Sequence, residues 1–308
     1  MARLAADNLI PQRNRWRPND LHIGISGWTY AGWRGIFYPK KLAHRQELEF
    51  ASHSFNSIEI NGSFYSLQRP SSYQRWYAET PAGFVFSVKG ARFITHMKKL
   101  RDVEAPLANF LASGVLALRE KLGPILWQFP PNFGWNEERF TNFFELLPRH
   151  TKEAARLAKH HDDKLKADPW LKPGPNLPMR HAVEIRHPTF MIPEFFALLR
   201  RYNIGFVVAD TAGKWPYAED ITADFVYCRL HGAEQLYVSG YSDEELVWWA
   251  NRANHWRKGR QPKDATLVSP RKLPTGSRDV YVYFDNDAKV HAPFNAKTLV
   301  EKLEGASV

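Results

Sequence analysis

Ten polar residues stand at or just past the ends of short apolar runs: Glu59, Asn61, Lys89, Gln128, Glu184, Arg186, Asp210, Arg229, His231 and Asn286. Side chains of an extended segment alternate between its two faces, so residues two apart share a face. Glu59 therefore goes with Asn61, Glu184 with Arg186, and Arg229 with His231. The cations Lys89, Arg186 and Arg229 suit an anionic group such as a phosphate or carboxylate, which an arginine can grip through two parallel bonds. Glu59 or Glu184 could act as a general base, and His231 with Asp210 could move a proton. Lys89 could form a Schiff base if desolvated. Asn61, Gln128 and Asn286 would fix orientation. The competing account is a structural ion-pair network that plugs the interior of the fold, because charged groups are rarely buried without partners.

The apolar runs are themselves the elements that must position these residues. They cover 22–26, 57–61, 84–89, 125–128, 182–186, 205–210, 225–231 and 280–286, and helical patterns separate most of them. Strand–helix alternation points to a parallel sheet. Eight repeats over about 250 residues point to a closed TIM-like (β/α)8 barrel, in which chemistry sits at the C-terminal ends of the strands. Helices are expected over 43–53, 71–79, 103–121, 137–147, 193–202, 243–256 and 295–303, the third closed by Gly123 and Pro124. About fourteen residues separate strands six and seven, so the sixth helix must be short or irregular. Residues 149–180 form a basic insertion before strand five, with an extra polar helix over 151–166 and a proline-rich stretch over 169–178. The run His160-His161-Asp162-Asp163 has metal-ligand residue types, but its neighbours are charged and a solvated helix end fits it better. The first loop, 27–42, carries Trp28, Tyr30, Trp33, Phe37 and Tyr38. So aromatic a loop should cover the barrel mouth and bring Trp28 and Tyr30 to a bound ring.

The 308 residues suffice for a basic arm over 1–20 followed by one barrel domain over 21–308. A lone cysteine, Cys228, excludes an intrachain disulfide and any multi-cysteine metal site. No apolar run is long enough to span a membrane, and residues 1–20 lack the apolar stretch of a secretion signal, so the cytoplasm is the expected compartment. Dinucleotide, P-loop and zinc-protease patterns are absent, and nothing asks for a cofactor or a metal. Gly24-Ile25-Ser26-Gly27-Trp28 approaches a nucleophile elbow but has Trp28 where the closing glycine belongs. The net charge of +10 is uneven: residues 1–19, 149–180 and 252–278 together carry +14, which leaves the rest acidic by about 4. All three segments precede strands. They should form a basic face at the N-terminal end of the barrel, opposite the mouth, able to hold nucleic acid by counterion release. A solvated, solubilising surface is the plainer explanation.

The chain also resembles a known family. The residues concerned are Gly24-Ile25-Ser26-Gly27-Trp28 with Phe37-Tyr38-Pro39, Glu59-Ile60-Asn61-Gly62-Ser63-Phe64-Tyr65, Lys89, Ile94-Thr95-His96, Gln128-Phe129-Pro130-Pro131, Glu184-Ile185-Arg186-His187-Pro188, Asp210, Tyr227-Cys228-Arg229-Leu230-His231-Gly232 and Tyr283-Phe284-Asp285-Asn286-Asp287. In their order they resemble domain of unknown function 72, the YecE-like proteins, over about residues 21–303. The chain departs from the family's usual pattern in having Asp285 where Asn is usual, and Ser66-Leu67 where an Arg-Pro-like continuation follows Tyr65. The basic insertions are not part of the common pattern. The resemblance implies a TIM-like barrel and no established activity.

The function expected from the strand ends is therefore an enzyme acting on an anionic, ring-containing small molecule, such as a sugar phosphate or nucleotide fragment, by acid/base chemistry. Hydrolysis, isomerisation and lyase chemistry all remain open. Two rivals stand beside it. One is a nucleic-acid-binding protein that uses the basic face. The other is a metal-dependent phosphodiesterase or sugar isomerase with Glu59, Glu184, Asp210 and His231 as ligands.

Overall fold

The computed structural model describes residues 21–271, 273 and 276–305; the arm over 1–20 lies outside them. Eight parallel strands close into a barrel in sequence order. They are β1 (Leu21–Ser26), β2 (Ser57–Ile60), β3 (Val85–Lys89), β4 (Leu122–Gln128), β5 (His181–Glu184), β6 (Gly205–Asp210), β7 (Phe225–Leu230) and β8 (Asp279–Phe284). The helices are α1 (Glu47–Ser54), α2 (Gly62–Tyr65), α3 (Pro70–Glu79), α4 (Glu104–Ala112), α5 (Glu137–Leu146), α6 (Thr151–Ala158), α7 (Pro193–Arg201), α8 (Asp243–Arg257) and α9 (His291–Gly305). None of the described helices is long and apolar enough to cross a membrane.

Alternation along each strand divides the apolar residues into two cores. Ile25, Ile58, Val88, Trp127, Val208, Cys228 and Val282 point outward and pack under the helices. Val85, Leu126, Ala182, Val207, Tyr227, Tyr281 and Tyr283 point inward and fill the lower barrel. A tyrosine inside a barrel must place its hydroxyl. Tyr283 Oη lies 2.7 Å from Ser57 Oγ, and Tyr227 Oη lies 2.6 Å from Ser87 Oγ. Both serine hydroxyls donate onward to backbone carbonyls, of Val85 and Pro124 respectively.

Three elements differ from expectation. The third helix stops at Ala112 because Gly114 takes φ +118 where a Cβ would sit 2.6 Å from Pro70 Cα. A 3-10 turn over Val115–Lys121 follows, and Gly123 and Pro124, expected to close the helix, lie inside β4. The insertion's helix ends at Ala158 rather than 166. Beyond it Asn109 Nδ2 donates to Asp162 Oδ1 and the Trp170 amide to Ala112 O, which ties an irregular chain to α4. Between β6 and β7 the described chain has no helix.

Of the basic segments, residues 1–19 lie outside the described residues. Of the other two, the last residues, Arg180 and Arg278, precede β5 and β8 at the N-terminal end of the barrel. There Arg180 pairs with Asp279 and, at 3.1 Å, with Asp224, which also faces Arg278. Arg252 is buried against Glu219 at 2.9 Å and Asp264 at 3.0 Å. The formal charge of these segments is thus partly neutralised in place.

Candidate active site

The upper barrel is polar, and Arg229 is its hub. This fully buried guanidinium enters from β7. Its Nε and Nη2 donate to the two Glu59 oxygens at 3.1 and 2.8 Å. Nη1 donates to Glu184 Oε2 at 2.8 Å, and Nη2 also reaches Asp285 Oδ2 at 2.8 Å and Ser26 Oγ at 3.1 Å. With five N–H groups in all, arginine has none left here for a ligand once the 3.3 Å approach of Nη1 to His231 Nε2 is included. Arg229, expected to grip the anion, instead holds three carboxylates together.

The same network removes Glu59 and Glu184 from the role of open general base. Glu59 also accepts from Tyr227 at 2.6 Å and from Ser26. Glu184 accepts from Gln128 Nε2 at 2.8 Å and Arg186 Nε at 3.1 Å. Burial would push the Glu184 carboxyl up, but the Arg229 and Arg186 charges outweigh it and hold it well below the usual carboxylate range. His231 is buried, with Nδ1 3.0 Å from Asp285 Oδ2. These side chains form a floor, and the ion-pair plug weighed as the competing account describes that floor well.

Above it lies a cavity of about 820 Å³. Lys89, Arg92 and His96 line it from the β3 side, Gln128 and Arg186 from β4 and β5, and Asp285 and Asp287 from β8. Tyr30, Asn61, Phe64, Tyr65, Met97 and Tyr237 complete the wall. In an eight-stranded barrel β4 stands opposite β8, so a cationic arc faces an acidic one. Burial pushes Lys89 down to about 8, with the Arg229 charge acting in the same direction. His96 is likewise lowered, to about 4, by burial and then by Lys89. Burial would raise Asp285, yet Arg229 and His231 hold it well below the ordinary range. Asp287 goes the other way: burial and the neighbouring Asp285 charge push its carboxyl well above the ordinary carboxylate range.

Arg186 is fixed from three sides. Its Nε holds Glu184, its Nη2 donates to Tyr237 Oη at 3.0 Å, and its guanidinium stacks 3.7 Å from the Trp215 ring centroid. Tyr237 has φ +65, a left-handed backbone unusual for an aromatic residue and common at binding sites.

The structure thus brings Lys89, Asn61, Gln128, Arg186 and Tyr30 to the cavity and puts Glu59, Glu184, Arg229 and His231 beneath it. Three expected site residues are not brought there. Asp210 shares the outward register of Phe206 and Val208, and it accepts from Tyr241 Oη at 3.0 Å. Asn286 follows the outward Phe284 register and donates to Ser239 O and Asn295 Oδ1, each at 3.0 Å. Trp28 lies past Gly27, whose φ of +82 turns the chain, and packs edge-on against Trp76 at 5.3 Å. Sequence reasoning passed over Asp285, Asp287, His96, Arg92 and Tyr237 as site residues. The first two carried a usable signal, since they continue the inward register of Tyr281 and Tyr283. Among the described residues no three His, Cys, Asp or Glu side chains are grouped so as to hold a metal ion.

Comparison with known proteins places the chain in context. Its residues 22–307 match the family described as protein of unknown function DUF72. The UPF0759 protein YunF of Bacillus subtilis is 32% identical, over 92% of this chain and 95% of its own. The UPF0759 protein YecE of Escherichia coli is 29% identical over 42% of this chain and 44% of its own. The crystal structure of a DUF72 family protein from Thermotoga maritima superposes with a TM-score of 0.69 at 25% identity, covering 92% of this chain and 99% of that one.

Proposed function

The chain belongs to the DUF72 family of proteins of unknown function, and from that starting point we propose that its barrel mouth is the active site of an enzyme for an anionic, ring-containing small molecule, such as a sugar phosphate. The observation that carries this reading is the division of the cavity wall by charge, with Lys89, Arg92 and Arg186 facing Asp285 and Asp287. Arg186 binds the anion. Its Nη1 and one N–H of Nη2 have no protein acceptor among the described residues, and its other bonds hold it in place. Arg92, exposed at the rim, adds a second charge. Phe64, Tyr65 and Tyr237 offer ring faces and edges to the body of the substrate. Asp287 gives a proton to a departing or developing oxygen and takes one back as its conjugate base.

Titration calorimetry with ribose 5-phosphate, inorganic phosphate and ribose tests this. The two phosphates should bind and ribose should bind far more weakly. Arg186→Ala should weaken phosphate binding about tenfold or more, the usual cost of a lost hydrogen bond to a charged group. Equal affinity for ribose and ribose 5-phosphate, or an unchanged Arg186→Ala, would remove the anion site.

A further inference from the structure

We propose that Lys89 is a nucleophile that forms a Schiff base with its substrate, which is therefore a small carbonyl compound bearing an anionic group. This rests on the anion site proposed above and adds the reacting function. Two lysines among the described residues are buried, and they are treated in opposite ways. Lys121 Nζ is saturated, donating to Tyr77 O and Thr80 O at 2.7 Å each and to Thr80 Oγ1 at 3.0 Å. Lys89 Nζ faces the cavity and has no hydrogen-bond acceptor or ion-pair partner among the described residues; the Phe64 ring centroid is 4.5 Å away. Lys121 thus places its protons on protein acceptors as a structural lysine does, whereas the Lys89 amine is left open to the cavity.

The surroundings shift the balance toward the neutral amine. The charged groups facing Lys89 are Arg229 from β7, Glu59 from β2, Glu184 from β5 and Asp285 from β8, with His96 beyond. All three carboxylates are committed to Arg229. With Lys89 brought down to about 8, about a tenth of it is neutral at pH 7, roughly 200 times the share in an ordinary lysine.

The step balances with groups already in the cavity. The Nζ lone pair attacks the carbonyl carbon, and the C=O π electrons move to oxygen. A proton passes from nitrogen to that oxygen, giving a carbinolamine. The Asp287 carboxyl, which burial and the Asp285 charge push toward its protonated form, supplies the second proton, the hydroxyl leaves as water, and the nitrogen lone pair forms the iminium bond. The iminium then draws electrons from an adjacent C–H or C–C bond. Arg186 meanwhile holds the anionic end of the molecule.

The full chain is incubated with glyceraldehyde 3-phosphate, ribose 5-phosphate or pyruvate in the presence of cyanoborohydride, which reduces an imine to a stable secondary amine. Peptide mass mapping then locates the adduct. Lys89 should be modified at least tenfold faster than the exposed Lys40 by one or more of these probes, faster as pH rises toward 8, and more slowly by unphosphorylated glyceraldehyde. The phosphate arms and the pyruvate arm tell a phosphorylated aldose from a 2-oxo acid. Lys89→Arg should lose the adduct. Modification of Lys89 no faster than Lys40 by all three probes overturns the Schiff base. If calorimetry still shows phosphate binding in that case, the anion site stands alone; if it does not, both readings fall.

Discussion

Replacing Arg229 with Met tests whether the floor of the site is one electrostatic unit. The side chain is fully buried and its charge meets Glu59, Glu184 and Asp285. After Arg229→Met, Glu184 keeps Arg186 at 3.1 Å and Gln128. Glu59 keeps only the hydroxyls of Tyr227 and Ser26, and Asp285 keeps His231. One buried carboxylate is thus left with hydrogen bonds but no cation, a situation that costs about 3–5 kcal/mol when a buried pair is broken. The double variant Glu59→Gln/Arg229→Met removes that stranded charge and should recover more than about 1 kcal/mol of the loss. The pH dependence has a definite sign. A carboxyl whose folded pKa lies below its unfolded value of about 4 adds stability above that value and loses it as pH falls through the folded one. Glu184 and Asp285 are such groups. Removing Arg229 removes their gain, so the penalty is full at pH 7, still full near pH 5, and shrinks only as pH falls below about 4. Urea unfolding of the three proteins at pH 7 and at pH 3 measures it. A penalty below about 1 kcal/mol at pH 7, a pH-independent one, or a double variant worse than the single would show that Arg229 does not hold these carboxylates.

Asp287→Asn should remove a carboxyl whose folded pKa is raised, and such a group favours the fold at low pH and disfavours it as pH rises above the unfolded value. The variant should therefore melt higher than the parent at pH 8 and close to it at pH 4; the same shift at both would contradict an upward shift of the Asp287 carboxyl. Gly114→Ala forces a Cβ to within 2.6 Å of Pro70 Cα at φ +118, whereas Gly83→Ala meets nothing within 4 Å at φ +80. The first should cost well over 2 kcal/mol and the second about 1 kcal/mol, the backbone term alone; equal costs in urea would mean that the α3 contact at Gly114 yields.

The barrel was legible because its strands are short, apolar and regularly spaced, so periodicity alone located all eight. The site was legible only as far as strand register was carried through. Glu59 and Asn61, or Glu184 and Arg186, were paired by the alternation rule, and each pair does face the axis. Applied to β8, the same rule would have chosen Asp285 and Asp287, which follow Tyr281 and Tyr283, over Asn286, which follows Phe284. Applied to β6, it would have sent Asp210 outward with Val208 to meet Tyr241. Depth was less accessible. Glu59 and Arg229 are floor while Lys89 is wall because each strand enters the barrel at its own height, which depends on stagger such as the register shift between Phe86 and Val88 opposite β4. Loop residues such as Tyr237 and Arg92 carry no periodic signal at all. A cluster of charges read from strand ends therefore holds two populations, those that satisfy one another and those left open. The second population, Lys89 foremost, is where the chemistry of this barrel is to be sought.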